Sequence, residues 1–199
     1  MIIKSYELKK NLTNIKSNNF YLLYGENFGL KKELKSFITN TIKEKNQNTE
    51  ILTLYENEVI EKEENFYNYI YSGSLFSEKK IIIIYDASDK LINKIEDIYE
   101  EFPETTYLII LSQNLEKKSK LRNFFEKNKK TYCIPCYEDN EKDLEIIAQY
   151  ELKKDNLILS REIINLLIEK ANADRNNLRN EIEKIKSFLF NKKNINIEE

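Results

Sequence analysis

Gly25 and Lys31 are six residues apart, the spacing of the first glycine and the lysine in the phosphate-binding loop G-x-x-x-x-G-K-[ST]. In that motif the glycines let backbone N–H groups surround the phosphates, the lysine reaches the outer phosphates, and the hydroxyl binds magnesium. Here Leu30 replaces the second glycine and Lys32 replaces the hydroxyl residue. A side chain then stands where backbone should approach phosphate, and the metal loses its ligand. The pattern indicates an NTPase-type fold that no longer hydrolyses a nucleoside triphosphate.

Asp86 is a second candidate remnant of a nucleotide site, because it ends an apolar run that begins at Ile81. In an active P-loop ATPase, an Asp at such a strand end holds magnesium, and a following Glu activates water. Ala87 occupies the position of that Glu. Alone, Asp86 is better explained as a strand-terminal residue that starts a turn. Beside the altered loop, it supports a degenerate nucleotide site of Gly25, Lys31 and Asp86 with no catalytic residue, cofactor or metal.

The composition excludes several classes of function. The chain contains no histidine, so Ser–His and Cys–His catalysis are excluded. It carries 32 Lys and Arg against 34 Asp and Glu, and this balance provides no overall basic field for nucleic acid. Cys133 and Cys136 have the spacing of a redox pair, but they follow a predicted strand, and two further zinc ligands are lacking. We expect them to be two small residues at a strand edge.

The lengths of the apolar runs and the amino-terminal residues together favour a soluble, cytoplasmic protein that does not enter a membrane. No apolar run approaches the roughly 20 residues that a membrane helix needs. The first residues lead directly into a polar amphipathic pattern with Ser5 as a candidate N-cap and Leu8, Leu12 and Ile15 on one stripe. This start resembles no signal peptide.

Strand and helix patterns alternate through the first two thirds of the chain. The runs 81–85 and 107–111 are continuously apolar, as in strands buried on both faces. The predicted strands are residues 20–24, 51–55, 80–85, 107–111 and 131–134, and the predicted helices are 30–45, 61–71, 91–101 and 117–128. Such alternation predicts an α/β fold with a parallel five-stranded sheet and helices on both faces.

The pattern changes after Cys136. Residues 137–140 form a polar joint, and the sequence beyond it predicts helices over 143–152, 160–170 and 174–190. Ser160 is a candidate N-cap for the middle helix. We therefore expect a domain boundary near Glu138, with an α/β domain over residues 1–137 and a small three-helix domain over 138–199.

Leu75 and Phe76 are two large apolar residues in a short polar loop between a helix and the third predicted strand. They are either plugs folded back on the core or an exposed anchor for a partner. The physical chemistry of the loop alone favours the buried plug.

Residues 117–130 form the most basic segment, with Lys117, Lys118, Lys120 and Arg122 at its start. One interpretation is a surface that follows the DNA backbone, which would make the protein a DNA-binding adaptor. The helical spacing of the apolar residues Leu121, Phe124 and Phe125 instead favours a solvated amphipathic helix.

In this order the motifs resemble the delta subunit family of bacterial DNA polymerase III, over essentially the whole chain. The resemblance rests on Tyr-Leu-Leu-Tyr-Gly-Glu before a helix, Ser-Leu-Phe-Ser-Glu-Lys-Lys before a strand, Leu-Ile-Ile-Leu-Ser followed by Lys-Ser-Lys-Leu, Cys136-Tyr137, and residues 174–184. It implies an AAA+-like fold with a RecA-like domain and a helical lid. It also implies a clamp-loader subunit that opens the β sliding clamp without hydrolysing ATP, rather than an active P-loop ATPase.

The resemblance also implies which residues bind partners. The family's clamp contact is an apolar pair after a serine, here Ser74, Leu75 and Phe76, and this reverses the preference for a buried plug. The implied partners are the β clamp, the tau/gamma and delta prime subunits, and DNA within the assembled complex. Family members continue into a collar domain, which we expect to be missing beyond residue 199, and this would weaken loader assembly. Arg175 and Arg179 lie near the lid arginine of active relatives, and we expect them to pack the lid or form salt bridges.

Overall fold

The computed structural model of this chain describes residues 1–5, 7–8, 19–44, 48–73 and 77–189. The chain divides into two compact units, Met1–Cys136 and Tyr137–Glu199. Leu12 and Ile15, which we assigned to an amino-terminal helix, lie outside the described residues, as do Ser74, Leu75 and Phe76. Among the described residues, no helix is both long and apolar enough to cross a bilayer.

The first unit is built on one sheet of five parallel strands in the order β2-β3-β4-β1-β5. The strands are β1 (Phe20–Tyr24), β2 (Thr49–Tyr55), β3 (Lys79–Ala87), β4 (Thr106–Ser112) and β5 (Thr131–Pro135). The helices are α1 (Phe28–Glu44), α2 (Glu56–Glu61), α3 (Glu63–Tyr71), α4 (Ile92–Tyr99) and α5 (Lys120–Lys127). The predicted parallel five-stranded sheet is confirmed.

Helices cover both faces of this sheet, as predicted. On one face, α1 packs its Leu34 against Tyr21 of β1. On the other face, α2 to α5 form a second core, in which Phe66 and Leu121 lie with Leu22 of β1. The direction of the connections explains why the helices divide between the two faces. The connection from β1 to β2 crosses the sheet in the opposite direction to the later connections, so right-handed crossovers place α1 on the face opposite to the other helices.

Two helices differ from their predicted bounds. The helix predicted over 61–71 is α2 followed by α3, interrupted at Lys62, whose backbone (φ −120°, ψ 51°) is not helical. The helix predicted to begin at residue 117 begins at Lys120. Ser119 is its N-cap, since the Ser119 hydroxyl accepts a hydrogen bond from the Arg122 N–H at 3.1 Å and donates to Asp89 at 2.6 Å.

The described part of the second unit, residues 137–189, contains three helices, α6 (Glu141–Lys154), α7 (Arg161–Ala171) and α8 (Arg175–Leu189), which share one apolar core. The predicted cap at Ser160 is confirmed, because its hydroxyl accepts a hydrogen bond from the Ile163 N–H at 3.3 Å. Asn140 and Asp143 cap α6 reciprocally. These side chains explain where the two helices begin.

Adjacent strands β1 and β4 lead to helices on opposite faces of the sheet, since α1 follows β1 and α5 follows β4. In open α/β sheets, ligands bind at the carboxyl ends of such a strand pair, where the loops diverge. The fold therefore places any small-molecule site beside residues 25–27 and 112–115.

Candidate functional site

Gly25, the first residue after β1, has a backbone φ of +126°, which side-chain-bearing residues rarely adopt. A Cβ at this position would lie 2.3 Å from the Cys136 carbonyl oxygen. Three hydrogen bonds fix this approach: Gly25 N–H to Gln113 O (3.2 Å), Cys136 N–H to Tyr24 O (2.7 Å) and Asn27 N–H to Cys136 O (3.0 Å). Packing of the chain against the end of β5 therefore requires this glycine, whether or not a phosphate binds.

Asn27 precedes α1 and caps it. Its side-chain oxygen accepts a hydrogen bond from the Leu30 N–H at 2.8 Å, and Asn27 is only 8% exposed. The Leu30 side chain is buried in the core with Leu34, so it does not stand in the loop as the sequence suggested. Asn27 was not among the predicted site residues, although an Asn before an apolar helical repeat is a known start signal. The Leu30 N–H, a donor that an anion at the start of α1 would need, is therefore already engaged by Asn27.

Lys31 does not extend into solvent above the loop. It is 4% exposed, and its Nζ donates a hydrogen bond to the Ser112 carbonyl oxygen at 2.8 Å, at the end of β4. Burial lowers the pKa of this ammonium, while the nearby Cys136 and Asp86 oppose the shift. The side chain that binds outer phosphates in an active P-loop is therefore tied to the protein's own backbone.

Asp86 lies at an irregularity of β3, where the register with β4 shifts between Ile84 and Ala87. Its φ of +56° is unusual for a residue with a side chain, and its side chain is exposed. The Ser112 hydroxyl donates a hydrogen bond to the Ala87 carbonyl oxygen. The structure thus brings Gly25, Lys31 and Asp86 to the same edge of the sheet, at the carboxyl ends of its strands.

The surroundings of this edge disfavour a polyphosphate. Glu26 is exposed in the loop, and Asn114 donates to its carboxylate at 3.4 Å across the diverging loops. Asp86 is also exposed at this edge, so two carboxylates add negative charge there, and like charges repel. Among the residues that the structure describes, no group of three or more Cys, Asp or Glu side chains could hold a metal ion.

The basic segment supplies less free charge than its sequence suggested. Arg122 donates to Glu126 Oε1 at 2.7 Å and to the Leu115 carbonyl at 3.0 Å, and its guanidinium lies 4.9 Å from the Tyr24 ring centroid. Its side chain is 14% exposed, and these contacts stabilise the loop after β4. The assignment of Arg122 to a DNA-proximal set stays a prediction.

Lys117 and Lys118 lie in a turn before α5, and Lys120 is its first residue. All three are exposed, and Lys118 forms an ion pair with Glu116 at 2.9 Å. The apolar stripe of Leu121, Phe124 and Phe125 packs against the core of the first unit, as the amphipathic interpretation predicted.

The two cysteines are buried and unbridged. Cys133 lies in the core under α2 to α5, whereas Cys136 lies in the core under α1. Burial raises the pKa of the Cys133 thiol to about 12, which keeps it protonated and unreactive. Cys133 thus packs as a small apolar group within the edge strand β5 and Cys136 does so directly after it, in separate cores that do not bring the two thiols together.

Within the second unit, Arg175 and Asp139 form a buried ion pair, in which the Arg175 Nε donates to Asp139 Oδ2 at 2.8 Å. Arg179 donates to Glu151 at 3.0 Å. The expected salt-bridge role of both arginines is confirmed.

The predicted clamp-binding residues Ser74, Leu75 and Phe76 lie outside the described residues, so their assignment stays a prediction. The residues on either side are described: α3 ends at Tyr71, and β3 begins at Lys79. This connection enters the amino end of β3, whereas Asp86 lies at the carboxyl end of the same strand. The described residue Lys79, which follows this connection, and Asp86 therefore lie at opposite ends of β3.

The first unit has a RecA-type fold of the AAA+ kind. Its defining features are a parallel sheet with β1 between β4 and β5 and a phosphate-loop-like turn between β1 and α1. The sequence model of the family "DNA polymerase III, delta subunit" matches residues 21–137. The chain belongs to this DNA polymerase III delta subunit family, whose members are components of the replication machinery.

A curated relative from Rickettsia prowazekii (strain Madrid E), "Probable DNA polymerase III subunit delta", is 25% identical over 121 residues, which are 59% of this chain and 36% of that protein. The clamp loader delta protein of Bacillus subtilis matches 96% of this chain and 59% of its own, with 18% identity and a TM-score of 0.61. AMPPCP-bound DnaA from Aquifex aeolicus matches 91% of this chain and 60% of its own, with 20% identity and a TM-score of 0.59. These two likenesses show the fold.

Proposed function

We propose that this chain is a clamp-loader subunit that binds and helps to open the β sliding clamp and does not itself hydrolyse ATP. Its partners would be the clamp, the tau/gamma and delta prime subunits, and DNA within the assembled loader, in the cytoplasm. Family membership supports the clamp-loader role. The observation that carries the non-hydrolysing part is the Lys31 side chain, which is buried and bonded to the Ser112 carbonyl.

Hydrolysis would require three groups that act together. An ammonium must reach the β- and γ-phosphates, a hydroxyl must hold magnesium, and a carboxylate must position water. Lys31 is turned towards β4, Lys32 stands at the hydroxyl position, and Ala87 stands at the position of the carboxylate. Binding of nucleotide would also have to break the contact of Asn27 with the start of α1.

Clamp binding is assigned to Ser74, Leu75 and Phe76. An apolar pair that enters a pocket on a partner contributes about 2 kcal/mol or more for each hot-spot residue. If the pair binds an open or strained clamp edge better than the closed ring, binding shifts the ring towards opening by that difference in affinity. The chain makes or breaks no covalent bond in this mechanism.

A DNA-binding adaptor is less well supported. Of its four candidate residues, Arg122 is engaged inside the first unit and Lys118 is paired with Glu116. Two exposed lysines remain, and a pair of phosphate contacts gives weak, strongly salt-dependent affinity. DNA contact is therefore assigned to the assembled loader.

The test is binding of this chain to the β clamp of the same source, measured by calorimetry or fluorescence anisotropy. The variant Leu75→Ala/Phe76→Ala should weaken binding by about 30-fold or more, equivalent to about 2 kcal/mol. The matched control is Phe28→Ala/Ile158→Ala, which shortens two exposed apolar side chains elsewhere (61% and 96% exposed). The control should stay within about twofold of the parent, as expected for side chains outside an interface.

Absence of clamp binding by the folded parent would refute the clamp-loader proposal, and equal weakening by both double variants would refute the assigned contact. A separate arm tests the nucleotide site. Addition of millimolar Mg-ATP should leave the midpoint of thermal unfolding unchanged, because only a ligand that binds the native state stabilises it. No phosphate should be released. ATP turnover that Lys31→Ala abolishes would establish the ATPase alternative.

A further inference from the structure

Lys80, the second residue of β3, is buried to an extent that is rare for lysine. It is 6% exposed, and lysines are almost never fully buried unless they are paired. Its Nζ donates to the Tyr69 carbonyl oxygen at 2.7 Å, to the Ser72 carbonyl oxygen, and to the Ser72 hydroxyl at 3.1 Å. These three acceptors match the three N–H donors of an ammonium group.

The acceptors lie at the end of α3. Tyr69 is in its last turn and Ser72 is its C-cap. Carbonyl groups in the last turn of a helix have no partner within the helix, and they carry the negative end of the helix dipole. The Lys80 Nζ also lies 4.8 Å from the Tyr69 ring centroid, a favourable cation–π distance. One side chain therefore satisfies the helix end that precedes the 73–78 connection.

Lys80 belongs to the strand that follows the same connection. Its backbone N–H donates to the Thr105 carbonyl oxygen at 3.0 Å beside β4, which fixes its place in the sheet. The Glu78 N–H donates to the Asn48 carbonyl oxygen at 3.0 Å, beside the start of β2. The last residue before the connection and the first residues after it are thus held together by the Lys80 side chain.

We propose that Lys80 is a positioning residue for clamp binding, which fixes the two ends of the 73–78 connection relative to each other. This inference depends on the proposed function, because it assumes that the connection carries the clamp contact. In general, a segment whose two ends are fixed loses less conformational entropy when it binds, so the entropic cost of association is lower. Lys80 itself, being buried, would not touch the clamp.

The test uses the full chain with Lys80→Met, which keeps an unbranched apolar stem and removes the three hydrogen bonds. Lys79→Met is the matched control, since the same change is made one residue earlier, where the ammonium lies 5.6 Å from the Tyr107 ring centroid. Lys80→Met should raise the dissociation constant for the clamp by about three- to tenfold, as expected from a partial loss of preorganisation. Lys79→Met should change it by less than about twofold, since it leaves the ends of the connection in place.

A double-mutant cycle separates positioning from a general loss of stability. Combined with Phe76→Ala, Lys80→Met should have little further effect, because the two changes act through the same contact. Amide exchange should be faster at residues 72–79 in Lys80→Met and unchanged in β4. If Lys80→Met does not fold at the assay temperature, Lys80→Gln replaces it, as a shorter donor that reaches fewer acceptors.

The outcomes are distinguishable. If the parent and Leu75→Ala/Phe76→Ala behave as expected but Lys80→Met matches Lys79→Met, the positioning role is refuted and the proposed function stands. If Lys80→Met weakens binding equally with and without Phe76→Ala, Lys80 acts elsewhere, and the inference is again refuted. If the parent does not bind the clamp, the proposed function and this inference fail together.

Discussion

Substitution of Gly25 by alanine should destabilise the first unit severely. The added Cβ would lie 2.3 Å from the oxygen and 2.7 Å from the carbon of the Cys136 carbonyl. Both are backbone atoms at the end of β5, and they lack the freedom of a flexible side chain to move aside. Because real Cβ contacts do not fall below 3.0 Å, the ends of β1 and β5 would have to separate.

Two terms give the magnitude. Alanine held at a φ of +126° is strained by about 1–3 kcal/mol. Separation of the strand ends weakens the hydrogen bonds that Cys136 makes with Tyr24 and Asn27, each of which contributes about 1 kcal/mol. The expected loss is about 3–5 kcal/mol, a large fraction of the 5–15 kcal/mol that stabilises a typical domain.

Native-state amide exchange of β1 and β5, with urea unfolding followed by circular dichroism, measures this loss in the first unit. Gly73→Ala is the matched control, since its φ is not positive and, apart from its chain neighbours, no described atom lies within 4 Å of its added Cβ. It should change the free energy of unfolding by less than about 0.5 kcal/mol, as is usual for open surface positions. A loss below about 1 kcal/mol for Gly25→Ala, or equal losses for both variants, would show that the close approach to Cys136 is not a constraint.

Three further sets of variants test other parts of the structure. Asn27→Ala removes the α1 cap and should cost about 1 kcal/mol in urea unfolding, whereas Asn27→Asp should cost less because it can accept the same bond. Asp139→Ala leaves the Arg175 guanidinium buried without its partner and should cost about 3–5 kcal/mol in the second unit, whereas Asp139→Ala/Arg175→Met should recover most of it, measured by thermal unfolding. The buried Cys133 thiol has a pKa of about 12, whereas an unfolded thiol loses its proton near 9, so the unfolded state binds fewer protons above pH 9. The free energy of unfolding should therefore fall between pH 9 and 12 by a margin that Cys133→Ala removes, measured by urea titration at each pH.

The core strands could be predicted from sequence because the signal is local. The apolar runs 81–85 and 107–111 lie inside β3 and β4, and burial on both faces leaves no polar positions that would blur the pattern. The start of α5 was misplaced because Lys117 and Lys118 are compatible with a helix. The Ser119 cap, which decides the boundary, depends partly on Asp89, which is distant in sequence.

The candidate nucleotide site could be located but not described. The spacing of Gly25 and Lys31 predicts a phosphate-type loop, yet it contains no information on the direction of the lysine side chain. That direction depends on a carbonyl 81 residues away, at Ser112. Likewise, the sequence Lys79-Lys80 suggests two surface charges, and only the packing of α3 against β3 shows that Lys80 is buried.

Strand β3 runs from one edge of the sheet to the other, with Lys80 near its beginning and Asp86 near its end. Six residues of extended chain span roughly 20 Å, and the intervening run 81–84 is almost completely buried. This separation is more than twice the distance over which exposed charges interact at physiological salt, about 8 Å. Exposed charges at the two edges therefore interact little, so a charge change around Asp86 leaves the environment of exposed groups at the opposite edge nearly intact. Exposed residues at one edge of the sheet can therefore change without altering the electrostatic environment of exposed residues at the other edge.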